Sequence, residues 1–111
     1  MTPLARRVYS HLRRRAASST SISYGELATT LAVHQRSPKL HAALGEVSNA
    51  CRHASLPCLP ALVWRADTRR PSAGYYKVAH PRAATDRARI AAWEREHAAV
   101  LAAAARFPAK L

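Results

Sequence analysis

From residue 21 to residue 76 the punctuation of the chain dictates an order of elements, and that order constrains the fold more than composition does. Ser23-Tyr24-Gly25-Glu26-Leu27-Ala28 has the Ser-x-x-Glu spacing of a capping box, in which two side chains satisfy orphan N–H groups of one helical turn. The spacing predicts a helix over 24–32 that buries Leu27, Ala28 and Leu31. Residues 33–36 turn the chain, and Ser37-Pro38 opens a further helix by N-cap and first-turn logic. Leu40, Leu44, Val47 and Cys51 form its inner stripe, with Ala43, Ala50 and Ala54 beside it. Pro57 and Pro60 then favour an extended run at Ala61-Leu62-Val63-Trp64-Arg65. A polar turn over 67–72 leads to Ala73-Gly74-Tyr75-Tyr76-Lys77-Val78, which reads as a return strand and places Arg69 and Arg70 at a hairpin tip. Helix, helix, hairpin is the order of a winged helix-turn-helix. The expected fold class is therefore mainly α with a small β-hairpin.

The flanks add two helices. Thr2 and Pro3 cap a first helix whose stripe is Leu4, Val8 and Leu12, with Arg6, Arg7, Arg13, Arg14 and Arg15 mostly off it. Residues 16–21 read as a loop, and Ile22 as one residue of a short strand joining the hairpin sheet. After a linker at 79–83, the longest helix is expected over 84–107, with Ile90, Trp93, His97, Val100, Leu101 and Ala104 inward. Four successive alanines, 102–105, favour it by propensity. At 111 residues the chain supports one modest core. The organisation is thus a single domain over 1–111, with the winged-helix core in 1–78.

Charge sets the class of partner. Lys and Arg number 18 against 6 Asp and Glu, for a net charge of +12. A GC-rich coding bias accounts for the arginines but not for the scarcity of acids. Such a surplus suits a polyanion whose counterions are released on contact. Double-stranded DNA is the expected partner, and an acidic protein surface is the alternative. On the third helix, His41, Gly45, Ser48 and Arg52, flanked by Lys39 and Asn49, form the outer face. Small and hydrogen-bonding side chains there permit close approach to a groove. With Arg36, the hairpin-tip Arg69 and Arg70, and the first-helix Arg13 and Arg14, they make the expected nucleic-acid surface.

Residues 22–76 also resemble a known family. Tyr24-Gly25-Glu26-Leu27-Ala28, His41-Ala42-Ala43-Leu44-Gly45, the Pro57-Cys58 pair within residues 56–63, and Gly74-Tyr75 stand in the order of matching motifs in the C-terminal domain of O6-alkylguanine-DNA alkyltransferases and the non-enzymatic alkyltransferase-like proteins. The resemblance implies a recognition helix in the minor groove and a phosphate-contacting role for Tyr24. It also departs from the pattern where chemistry is done. The family's nucleophilic Cys is followed by His and Arg, whereas Cys58 is followed by Leu59 and Pro60, and His41 stands where the family has its helix Arg. A thiol near pKa 8.5 without an activating base is mostly protonated at neutral pH.

The remaining reactive residues are sparse. Cys51 and Cys58 have no second cysteine pair, so they do not complete a four-ligand zinc site. The six histidines form no His-x-x-x-His pair, and the carboxylates are scattered, which argues against metal-nuclease chemistry. His34 with His41 and Arg36 is a weak candidate for metal-free phosphodiester cleavage, and Cys58 a weak one for alkyl transfer. No cofactor is expected. The sequence has neither a signal-type apolar region nor an apolar run near 18 residues. Together these features predict a non-enzymatic, weakly sequence-specific or structure-selective DNA-binding protein of the cytoplasm and nucleoid. The alternatives are a basic adaptor or inhibitor of an acidic protein and an enzyme acting on nucleic acid.

Overall fold

Side-chain caps set where the long helices begin. In the computed structural model, which describes residues 1–111, Thr2 Oγ1 accepts the Ala5 N–H at 3.2 Å and starts α1 (Pro3–Ala17). Ser23 Oγ accepts the Glu26 N–H at 3.1 Å and starts α2 (Tyr24–Thr30). Ser37 Oγ accepts from Lys39 and starts α3 (Pro38–His53), and Thr85 Oγ1 accepts from Ala88 and starts α5 (Asp86–Ala102). Only one arm of the expected capping box forms at α2. Glu26 takes the Ser23 hydroxyl at 3.2 Å rather than its backbone N–H.

The core is one cluster of 23 buried residues. α1 contributes Ala5, Val8, Tyr9, Leu12 and Ala16, and packs against the Leu40, Ala43, Leu44, Val47 and Cys51 face of α3. Between the helices sits a 3₁₀ turn at Leu59–Leu62, all four residues buried, which touches α1, α3 and α5. Two-residue strands β1 (Ile22–Ser23) and β2 (Val63–Trp64) pair in parallel, Ile22 opposite Val63 and Ser23 opposite Trp64. A parallel pair needs a long crossover, which α2 and α3 supply. No helix is long and apolar enough to cross a membrane.

The structure is mainly helical, as the sequence predicts, but the hairpin is not there. Residues 73–78, expected as a return strand, lie in α4 (Ala73–Ala79). β2 pairs with β1 alone, and no returning strand joins its other edge. Tyr75 and Tyr76 are buried and Ala79 packs on the core, a spacing that fits one helical face. The aromatic content that suggests a strand is overridden by packing against α3. Residues 65–72 form a closed loop instead. The Arg65 N–H donates to the Arg70 carbonyl at 2.9 Å and the Arg69 N–H to the Arg65 carbonyl at 2.8 Å. Arg69 takes a left-handed φ of 56°, and Pro71 is buried.

The C-terminal helix is shorter and less buried than the sequence suggests. α5 ends at Ala102 and a 3₁₀ turn follows at Ala104–Arg106. Of its expected inner face only Val100 is fully buried, while Ala103 and Phe107 beyond its end join the core. Trp93 is held by an Nε1–H bond to the Ala61 carbonyl at 2.9 Å. The segment expected as a linker also packs, because His80 bonds the Tyr75 hydroxyl at 2.9 Å.

Candidate functional site

Tyr24 stands at the start of α2, where its ring forms a wall between two hollows. Its hydroxyl accepts the Ser72 N–H at 3.2 Å and shares a 3.0 Å bond with Ser72 Oγ, tying α2 to the loop that precedes α4. The His41 ring lies 5.8 Å from that of Tyr24, centroid to centroid. Tyr24, His41 and Ser72 line both hollows.

The inner hollow lies between α3 and α4. It is small, about 60 Å³, and is walled also by Gly45, Ser48 and Tyr75. That volume holds a few waters. Ser48, expected on the groove-facing side of α3, is 2 % exposed and turns inward. Gly45, also expected to face a groove, is half-buried with Val78 of α4 opposite it. α4 therefore covers part of the face that the hairpin reading left open. Arg52, on the same side, spends a guanidinium N–H on the Val78 carbonyl.

Cys58 does not line this hollow. Its thiol donates to the Ser48 carbonyl at 3.8 Å, and its N–H donates to the Glu96 carboxylate at 3.4 Å. Burial, reinforced by Glu96 and Cys51 and opposed by Arg52, pushes the thiol up to about 12. Beside it, burial also raises the Tyr75 phenol and lowers the His80 imidazole. Each group is driven toward its neutral form, the reverse of what an activated nucleophile requires.

The outer hollow is open and larger, about 470 Å³. Arg36 enters it from the turn before α3, His41 from the first turns of α3, and Arg65 from the end of β2, with Gln35 and Asp67 completing the walls. Arg65 grips Asp67 through two bonds of 3.0 and 2.8 Å. This is the single ion pair of the molecule. The other cationic side chains, including exposed Lys39, Arg69 and Arg70, face no carboxylate within salt-bridge distance.

The expected site residues thus divide. Arg36, His41 and Tyr24 meet at the outer hollow, and Arg69 and Arg70 extend from the adjoining loop. Asn49 is exposed on α3 but lines neither hollow. Arg13 and Arg14 belong to another part of the surface, and Arg13 donates to the Phe107 carbonyl at 2.9 Å. The arginines therefore do not all gather beside α3. His34 and His41 do not form a pair. His34 lines a separate hollow over α2 and its Nδ1 accepts the Arg36 N–H at 3.1 Å. Arg65 is the cleft residue that sequence reasoning misses. No local signal marks it within the extended run 61–65, because its place in the cleft depends on where the chain turns after β2. No family model, curated protein or solved structure matches this chain.

Proposed function

We propose that this chain is a non-enzymatic DNA-binding protein that holds duplex phosphates in the cleft formed by Arg36, His41 and Arg65 and reads sequence weakly. The observation that carries this reading is the meeting of those three side chains, from three segments of the chain, around one open hollow. A net charge of +12 with one internal ion pair, Arg65–Asp67, leaves the other cations available to an external polyanion. In this reading α2 and α3 act as a helix-turn-helix, and the 65–72 loop takes the place of a wing. The likeness of residues 22–76 to the alkyltransferase-like proteins points the same way, and the buried, protonated Cys58 argues for binding without alkyl transfer. Weak readout follows from the α3 surface, where Asn49 is the one exposed amide and Ser48 is turned inward.

Fluorescence anisotropy with a labelled duplex tests the proposal. Binding in the low-micromolar range or tighter is expected at about 50 mM salt, with a log–log salt slope near −5 for about six phosphate contacts. The double variant Arg36→Ala/Arg65→Ala should weaken it by about tenfold to a hundredfold. No binding by the parent protein at that salt rejects the reading, and the acidic-protein alternative then gains. Equal binding by parent and double variant removes the cleft from it.

A further inference from the structure

The 65–72 loop has a second open cleft on its other flank, about 270 Å³, walled by Arg65, Arg70, Ser72, Tyr76, Asp86 and Arg89. Arg65 and Ser72 line this cleft and the outer hollow alike, so the two adjoin across the loop. Arg89 is held in place. Its Nε–H donates to the Ala83 carbonyl at 3.2 Å and its guanidinium carbon lies 5.9 Å from the centre of the Tyr76 ring. The terminal nitrogens of that guanidinium have no protein acceptor, and neither does the exposed side chain of Arg70. Both arginines line the cleft with Tyr76 and oppose the upward pull of burial on its phenol. With Arg65 paired to Asp67, the cleft sets two uncommitted guanidinium groups, Arg70 and Arg89, against one carboxylate, Asp86. An ordered guanidinium with free donors loses little conformational entropy on meeting a phosphate.

We propose that this second cleft is a phosphate-binding subsite, so that one nucleic-acid backbone follows a track from Arg36 through Arg65 to Arg70 and Arg89 and is carried from α3 onto α5. The inference rests on the DNA-binding reading above and extends its footprint to the C-terminal helix. Sugar-phosphate backbone is the occupant that the arrangement fits, because successive phosphates supply anions to each of two adjoining basic clefts.

The test compares two double variants that remove equal charge. Arg70→Ala/Arg89→Ala empties the cleft, whereas Arg87→Ala/Arg95→Ala removes two exposed arginines of α5 that line neither cleft. For a long duplex the first should weaken binding by about tenfold or more and reduce the salt slope by about 2, and the second should change the slope by less than half as much. Arg70→Ala alone, at an exposed side chain, should lower the slope by about 1 and guards against misfolding of the double variant. Equal effects of the two double variants, or no effect of Arg70→Ala, overturn the subsite while leaving the α3 cleft standing. Failure of the parent protein to bind DNA overturns both.

Discussion

The two hollows that share Tyr24, His41 and Ser72 differ in almost every property that matters for function. The inner one is small and less open, about 60 Å³, and backed by groups that burial keeps neutral. The outer one is open, about 470 Å³, and receives arginines from two segments of chain. One aromatic wall separates a surface suited to holding anions from an interior unsuited to nucleophilic chemistry. The lesson is that burial, not residue type, decides what Cys58 can do here. Its neighbours Glu96 and Cys51, a carboxylate and a second thiol, disfavour the thiolate further in a desolvated setting, against the opposing pull of Arg52.

The sharpest way to break this contrast is through the thiol. At neutral pH the Cys58 thiolate fraction should be about a thousandfold below that of an unperturbed thiol, so alkylation by iodoacetamide, followed by mass spectrometry, should be slow and still climbing above about pH 10. Rapid labelling at neutral pH would mean that the interior is open. Tyr75→Ala removes a buried wall of the inner hollow and should cost about 3 kcal/mol or more in urea-unfolding stability, with faster Cys58 labelling as the companion readout. If stability hardly changes, Tyr75 does not hold the hollow shut.

Acid should act on the same interior, more gently. Burial lowers His80 and His97 below their ordinary value, so the unfolded chain binds more protons than the folded one just below that value. The stability they contribute is full above about pH 6.5 and is lost as pH falls through their folded values. Urea midpoints should therefore drop on acidification, and His80→Gln should flatten the profile. A midpoint that rises as the solution is acidified through that range would contradict the assignment. The smallest expected effect concerns Gly45. An added Cβ would sit 4.0 Å from Val78 Cγ2, an ordinary contact, so Gly45→Ala should stabilise α3 by about 1 kcal/mol without a clash. A destabilised variant would show that the hollow needs its empty space.

Much of the framework is legible locally. Thr2, Ser23 and Ser37 mark helix starts because a hydroxyl beside an orphan N–H is a matter of two or three residues. The α1 and α3 stripes are legible for the same reason, since helical period fixes which side chains share a face. Residues 73–78 are not, because Tyr-Tyr-Lys-Val favours a strand by composition while packing of Tyr75 and Tyr76 against α3, a distant segment, makes them helical. At the site, Arg36 and His41 are legible as neighbours of the α3 start. Ser48 and Arg89 are not, as one depends on α4 lying across α3 and the other on α5 beginning beside the 65–72 loop.

By itself the sequence determined the starts of α1, α2 and α3, the apolar faces of α1 and α3, the excess of positive charge and the lack of a base next to Cys58 in the chain. Those are properties of short range or of simple summation. Only the tertiary structure decided that Cys58 is sealed, that Ser48 turns inward, and that Arg36 and Arg65 meet around one cleft. The physical reason is that solvation and charge proximity belong to the space around a side chain, which distant segments create when the core closes.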